Sequence, residues 1–260
     1  MNQEVRTSKM KELGGVWTPE TNWQVPTTNG EAVFVFPAFG PNNYDEAVRQ
    51  VLANGQRLPT GEQDAFMLNE SYNSADNAIK ESPRTKFVRE NIMHDGWLWV
   101  PQVNIWTPRK VRNPGMYSVF DENGEGLAKE RSVVELEDRL NGGSTERGVR
   151  FSTDRRVAFA PLNTITAGAH NKGTLSQDGA FIAVYGVEGA EKLDAVAKVF
   201  SLKPYSWIVD NDSDKLIQSL FALGGGRLLG DGRLSADFDS NGNGRDGYVL
   251  SVRAPSAKKI

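Results

Sequence analysis

The chain has 260 residues, 38% of them hydrophobic and 24% charged, with a net charge of −3 and no cysteine. This is the composition of a globular protein large enough to bury a core without covalent staples. It excludes disulfides, thiolate metal sites and cysteine nucleophiles, and the acidic balance without any basic run argues against a nucleic-acid partner.

Residues 1–22 carry charges but no apolar periodicity, and read as a partly disordered segment, neither signal peptide nor membrane anchor. No stretch reaches the roughly 20 apolar residues of a membrane helix, so the default expectation is cytoplasmic. A single domain is expected over residues 23–260. The Val- and Phe-rich run Glu31–Phe39 predicts a strand. Ala47, Val48, Val51 and Leu52 recur at helical spacing, which predicts a helix from about Tyr44 to Asn54, stopped by Gly55. After Pro59, Thr60 and Gln63 have the spacing of a capping box, so a second helix begins there.

The middle reads as β-rich. Strands are expected at Gly96–Thr107 and in GMYSVF, followed by a turn centred on Asn123-Gly124. A short helix over SVVELEDRL ends at Gly142, and GVRFSTDRRVAFAP reads as a hairpin. GAFIAVYGV reads as a buried strand with a helix after it, and KPYSWIVDN as a further strand. SDKLIQSLFALGGG starts helically, and GYVLSVRA is the last strand. Without sustained βαβα alternation, the fold class expected is α+β.

Little in this chain converges on catalysis. The tract Asp237–Asp246 alternates oxygen donors with glycines, as calcium loops do, but an EF-hand register would place Tyr248 where a bidentate Glu is required. A polar hairpin loop is the competing reading. GGGRLLGDG lacks the spacing of a phosphate-binding loop. His94 and His170 lie far apart and are read as surface or loop residues. Glu188 and Glu191 suit a helix start. Trp97, Trp99 and Trp106 are read as core by default. Neither a metal nor a cofactor is assigned.

A different signal lies near the C-terminus. Lys, Glu, Gln, Trp and Met are all absent between Ser219 and Ala257. Those five cannot arise from AAC or AAT codons in which only the two adenines are randomised. Asn, Asp, Ser, Gly, Tyr, Arg, Leu, Ala and Val can.

GQRLPTGEQDAFML resembles the corner and helix of C-type-lectin-fold proteins related to the formylglycine-generating enzyme, and GYVLSVRA resembles their closing strand. The resemblance implies a C-type lectin fold with two helices, a β-rich body and an insertion at about residues 107–200. It does not imply the activity of those enzymes, which depends on cysteines. The chain is similar instead to a non-enzymatic branch, the variable proteins of diversity-generating retroelements of archaeal or candidate-phylum type. That similarity implies a ligand-binding protein whose variable region, at about residues 224–253, is rewritten by adenine-directed mutagenesis. Its partner would be a protein or other macromolecule specified by that region. The exchangeable residues would be Asp231, Arg233, Ser235, Asp237, Asp239, Ser240, Asn241, Asn243, Arg245, Asp246 and Tyr248, with Tyr248 and Arg245 as anchors. Leu234, Ala236, Phe238 and Val249 would point inward as scaffold. The alternative is a metal-dependent enzyme or a calcium-stabilised module on the same fold.

Overall fold

The structure, a computed structural model, describes residues 21–225, 232–240, 244 and 246–253. These residues form a mixed α+β fold around one twelve-stranded sheet. The strands are β1 (Thr21–Thr27), β2 (Gly30–Asn42), β3 (Trp97–Trp106), β4 (Gly115–Phe120), β5 (Ser144–Glu146), β6 (Val149–Phe151), β7 (Val157–Pro161), β8 (Gly168–Ala169), β9 (Tyr205–Trp207), β10 (Ile217–Gly224), β11 (Ser235–Asp239) and β12 (Gly247–Val252). The main path runs β5-β6-β7-β4-β3-β10-β11-β9-β8, and β12 ties β3 to the β1–β2 hairpin. The last strand is therefore interior. It pairs antiparallel with β2 and parallel with the start of β3.

Four longer helices cover the two faces: α1 (Tyr44–Ala53), α2 (Gly61–Asn73), α3 (Val133–Leu140) and α4 (Gly179–Ala197). On one face α2 and α4 pack over Val100, Met116, Ala158, Phe221 and Phe238. On the other, α1 and α3 pack over Val103, Ile105, Tyr117, Val157 and Leu220. Strand alternation sorts the apolar side chains between these two cores.

The RLPT corner joins the N-terminal helices to the C-terminal strand. Arg57 and Val252 exchange backbone hydrogen bonds of 3.0 and 2.9 Å, and Leu58 is buried. Thr60 caps α2 with both bonds of a capping box: Gln63 N–H donates to Thr60 Oγ1 at 3.3 Å, and Thr60 N–H donates to Gln63 Oε1 at 2.9 Å. Thr60→Ala removes one of them, and urea denaturation is expected to register a loss of about 1 kcal/mol.

Two expectations are corrected. GAFIAVYGV is not a strand but the first half of α4, opened by Asp178, whose carboxylate accepts from the N–H groups of Ala180 and Phe181. A continuous apolar run of this length suits a buried helix as well as a buried strand. The helix turns a corner at Gly186, where φ is +70°. Conversely, Ile217–Gly224 is strand β10, held between β3 and β11. Its helical spacing is overridden by two ladders of backbone hydrogen bonds.

Candidate ligand-binding surface

β11 lies between β10, antiparallel, and β9, parallel. Its backbone is thus fixed on both sides, and its side chains alternate. Leu234, Ala236 and Phe238 are buried in the helix-covered core, with Phe238 edge-on to Trp106 and Phe221 at 5.0 and 4.8 Å. Asp237 and Asp239 point to the opposite face and are half-buried.

That opposite face can be read in rows across β3, β10, β11 and β9. One row runs from Trp97 over Gly224 to Ser235 and Tyr205. The next runs Trp99, Ala222, Asp237, Trp207, and a third runs Val103, Leu220, Asp239. Across β3 and β10 these rows are buried, with Trp99, Val103, Leu220 and Ala222 in the core under α1 and α3, so the face opens over β11 and β9, beside the Tyr205–Trp207 pair with 4.5 Å between centroids. Trp207 is 38% exposed, an uncommon state for so large an apolar ring. The Arg233 guanidinium lies 5.4 Å from the Tyr205 ring, a cation–π distance. Burial, and then the neighbouring Asp239 charge, push the Asp237 carboxyl above its ordinary pKa. The chemistry available is aromatic contact beside two acids and one arginine.

The structure separates the residues expected at this surface. Arg233, Asp237 and Asp239 are half-exposed, and Ser240 and Asp246 are exposed. Ser235 is not exposed, as had been expected, but buried: it sits between Gly224 and Tyr205, and its hydroxyl has no hydrogen-bond partner. Tyr248 is also buried, because β12 is an interior strand covered on both faces; its ring meets Phe87 edge-on at 5.7 Å. It belongs to the core and is no exposed anchor. Asp231, Asn241, Asn243 and Arg245 lie outside the described residues. Leu234, Ala236, Phe238 and Val249 are buried, as expected of scaffold. Sequence reasoning missed Tyr205 and Trp207; the available signal was their spacing of two in a strand, which places both on one face.

The histidines also divide. His94 is exposed beside Asp95, whereas His170, in a loop as expected, is buried and not at the surface. Ser206, which lies between Tyr205 and Trp207, donates to the Thr166 carbonyl at 2.9 Å and contacts His170 Nε2 at 2.9 Å. With the Ser206 proton committed to Thr166, His170 must donate from Nε2. Burial lowers the His170 pKa, outweighing the charges of Asp178 and Asp194, which raise it. The unfolded chain therefore binds a proton more readily than the folded one, so this contribution to stability is lost as pH falls through about 6.5. Urea midpoints between about pH 5 and 7 should fall on acidification more steeply in the parent than in His170→Gln; equal slopes would remove His170 from this role.

Among the described residues, no group of three or more His, Asp or Glu could hold a metal ion, and no helix is long and apolar enough to cross a membrane. No family model matches the chain, and no curated protein does. A solved structure reported for the accommodation of massive sequence variation in Nanoarchaeota by the C-type lectin fold is similar at TM-score 0.47 and 12% identity, covering 90% of this chain and 98% of that one.

Proposed function

We propose that this chain is a non-enzymatic ligand-binding protein of the C-type lectin kind, whose C-terminal surface is diversified by a retroelement. The observation that carries the reading is the division of β11. Its backbone is paired on both sides, its scaffold side chains are in the core, and Arg233, Asp237 and Asp239 stand on the other face. Residues placed this way can be exchanged without disturbing packing, because a strand sends neighbours to opposite faces. The absence of Lys, Glu, Gln, Trp and Met from Ser219 to Ala257 fits adenine-directed exchange. Tyr205 and Trp207 lie outside that interval and would form a constant aromatic border beside the variable positions. Aromatic rings beside adaptable polar groups suit macromolecular recognition. The partner is a protein or other macromolecule selected by the variable set.

Two experiments test this. The surrounding genome should hold a reverse transcriptase gene and a near-copy of the final coding stretch that differs at adenines. A displayed library varied at Arg233, Asp237, Asp239, Ser240 and Asp246 should retain folded members and yield specific binders to a chosen protein. A library that folds only with the parental residues would refute the proposal.

A further inference from the structure

The candidate surface opens where β11 meets β9, and there an aromatic ring and an acid stand side by side. Asp237 and Trp207 are partners in the register of these two parallel strands. Ser206, between the two rings of β9, turns inward to His170, which packs edge-on against Phe181 of α4. Tyr205 and Trp207 therefore turn outward, on the face of Asp237. Trp207 is 38% exposed and Asp237 half-buried. Among the described residues no cation pairs with Asp237, and the charge that acts on it is that of a second acid, Asp239. A half-buried carboxylate without a counter-charge opposes folding. It has also lost part of its water, so an arriving cation meets less screening there than at a fully exposed acid.

The neighbouring row shows which cation this surface accepts. The Arg233 guanidinium lies 5.4 Å from the Tyr205 ring. Trp207 offers a larger ring, 4.5 Å from Tyr205 between centroids, and among the described residues no cation of this chain lies over it. Indole and carboxylate together suit a guanidinium better than an ammonium. A guanidinium is flat, stacks on rings and gives a carboxylate two parallel N–H groups; it is also more weakly hydrated, so half-burying it costs less. We infer that the partner of this chain is a protein that docks through an exposed arginine, with its guanidinium on the Trp207 ring and paired to Asp237. The inference rests on the ligand-binding reading and names what this set of exchangeable residues selects. An acidic partner would meet like charge, and an aliphatic one would cover Asp237 without pairing it. Trp207 lies outside the interval that lacks Lys, Glu, Gln, Trp and Met, whereas Asp237 lies inside it. The ring would thus serve every member of the set, and the acid would make this member specific for arginine.

The probe is a phage-displayed library of random peptides, panned on the full chain, with Asp237→Asn and Trp207→Leu as counter-targets. Asn keeps the shape and removes the charge; Leu keeps apolar area and removes the aromatic face. Neither position is in the buried core, and each variant is compared with the parent by Tm before panning. Peptides that bind the parent and fail on the variants should share an arginine. For the tightest of them, Asp237→Asn should weaken binding about tenfold or more, and replacing that arginine by citrulline should do the same. Trp207→Leu should weaken it about threefold. Face-dependent peptides without a common arginine, or equal binding of the citrulline peptide, would overturn the arginine assignment and leave the ligand-binding reading standing. If no peptide distinguishes the parent from either variant, this face is not a binding surface and both fall.

Discussion

Phe238→Ala is expected to lower stability by about 3–5 kcal/mol, the usual loss for a fully packed phenylalanine. The side chain is 4% exposed and makes edge-to-face contacts with Trp106 and Phe221, so truncation removes two aromatic contacts and leaves a cavity between sheet and helices. Asp237, one residue away, should behave in the opposite sense. Its carboxyl has a raised pKa in the folded state, from burial first and the Asp239 charge second. A raised carboxyl pKa means that ionisation costs more when folded than when unfolded, so the charge opposes folding at neutral pH. Asp237→Asn should then be neutral or slightly stabilising at pH 7, and any gain should fade as pH falls toward about 4, where the unfolded carboxyl takes up its proton. Urea titrations of both variants at two pH values measure this contrast. Comparable losses at the two positions would mean that β11 does not separate scaffold from surface, and the diversified-face proposal would lose its support.

What the sequence made legible were features written in short-range chemistry. The capping box at Thr60 and Gln63 reports two specific hydrogen bonds, and both are present. The alternation Leu234, Ala236, Phe238 reports a strand with one buried face, and that burial is found. What stayed hidden depends on partners distant in the chain. The apolar run at the start of α4 has no polar face because it is covered on every side, so period alone could not decide between helix and strand. Tyr248 looked like an exposed aromatic beside a polar loop; nothing local tells that β12 is inserted between β2 and β3. Ser235 looked like a surface serine, and its burial follows from the rings on either side, Trp97 lying over Gly224 and Tyr205 lying opposite. The aromatic border was legible only as two spaced residues in an ordinary strand, without the register that sets them beside Asp237.

Gly247→Val should cost about 3 kcal/mol, at the upper end of losses from overpacking a filled site. The glycines of the C-terminal tract were candidates for a metal loop or a phosphate cradle, and the structure gives several of them a steric role. A Cβ on Gly247 would collide with the indole of Trp99, whose Nε1 donates to the Asn42 carbonyl at 3.2 Å and so cannot swing aside without losing that bond. A Cβ on Gly244 would press on the other end of the same ring at 3.1 Å, and one on Gly224 would lie 2.8 Å from the ring of Trp97. Gly247 also pairs with both Asn42 and Trp97, so a displaced backbone there strains two neighbouring strands at once. At Gly244 and Gly247 the chain lies against Trp99 only because it has no side chain there, whereas Asp246, between them, is exposed. Ser240→Val supplies the comparison: Ser240 is exposed, and a change there should stay within about 0.5 kcal/mol. A Gly247→Val variant with an unchanged urea midpoint would show that the ring–backbone contact does not constrain the loop. The glycines would then need another explanation, and the separation of fixed positions from exchangeable ones would no longer rest on packing.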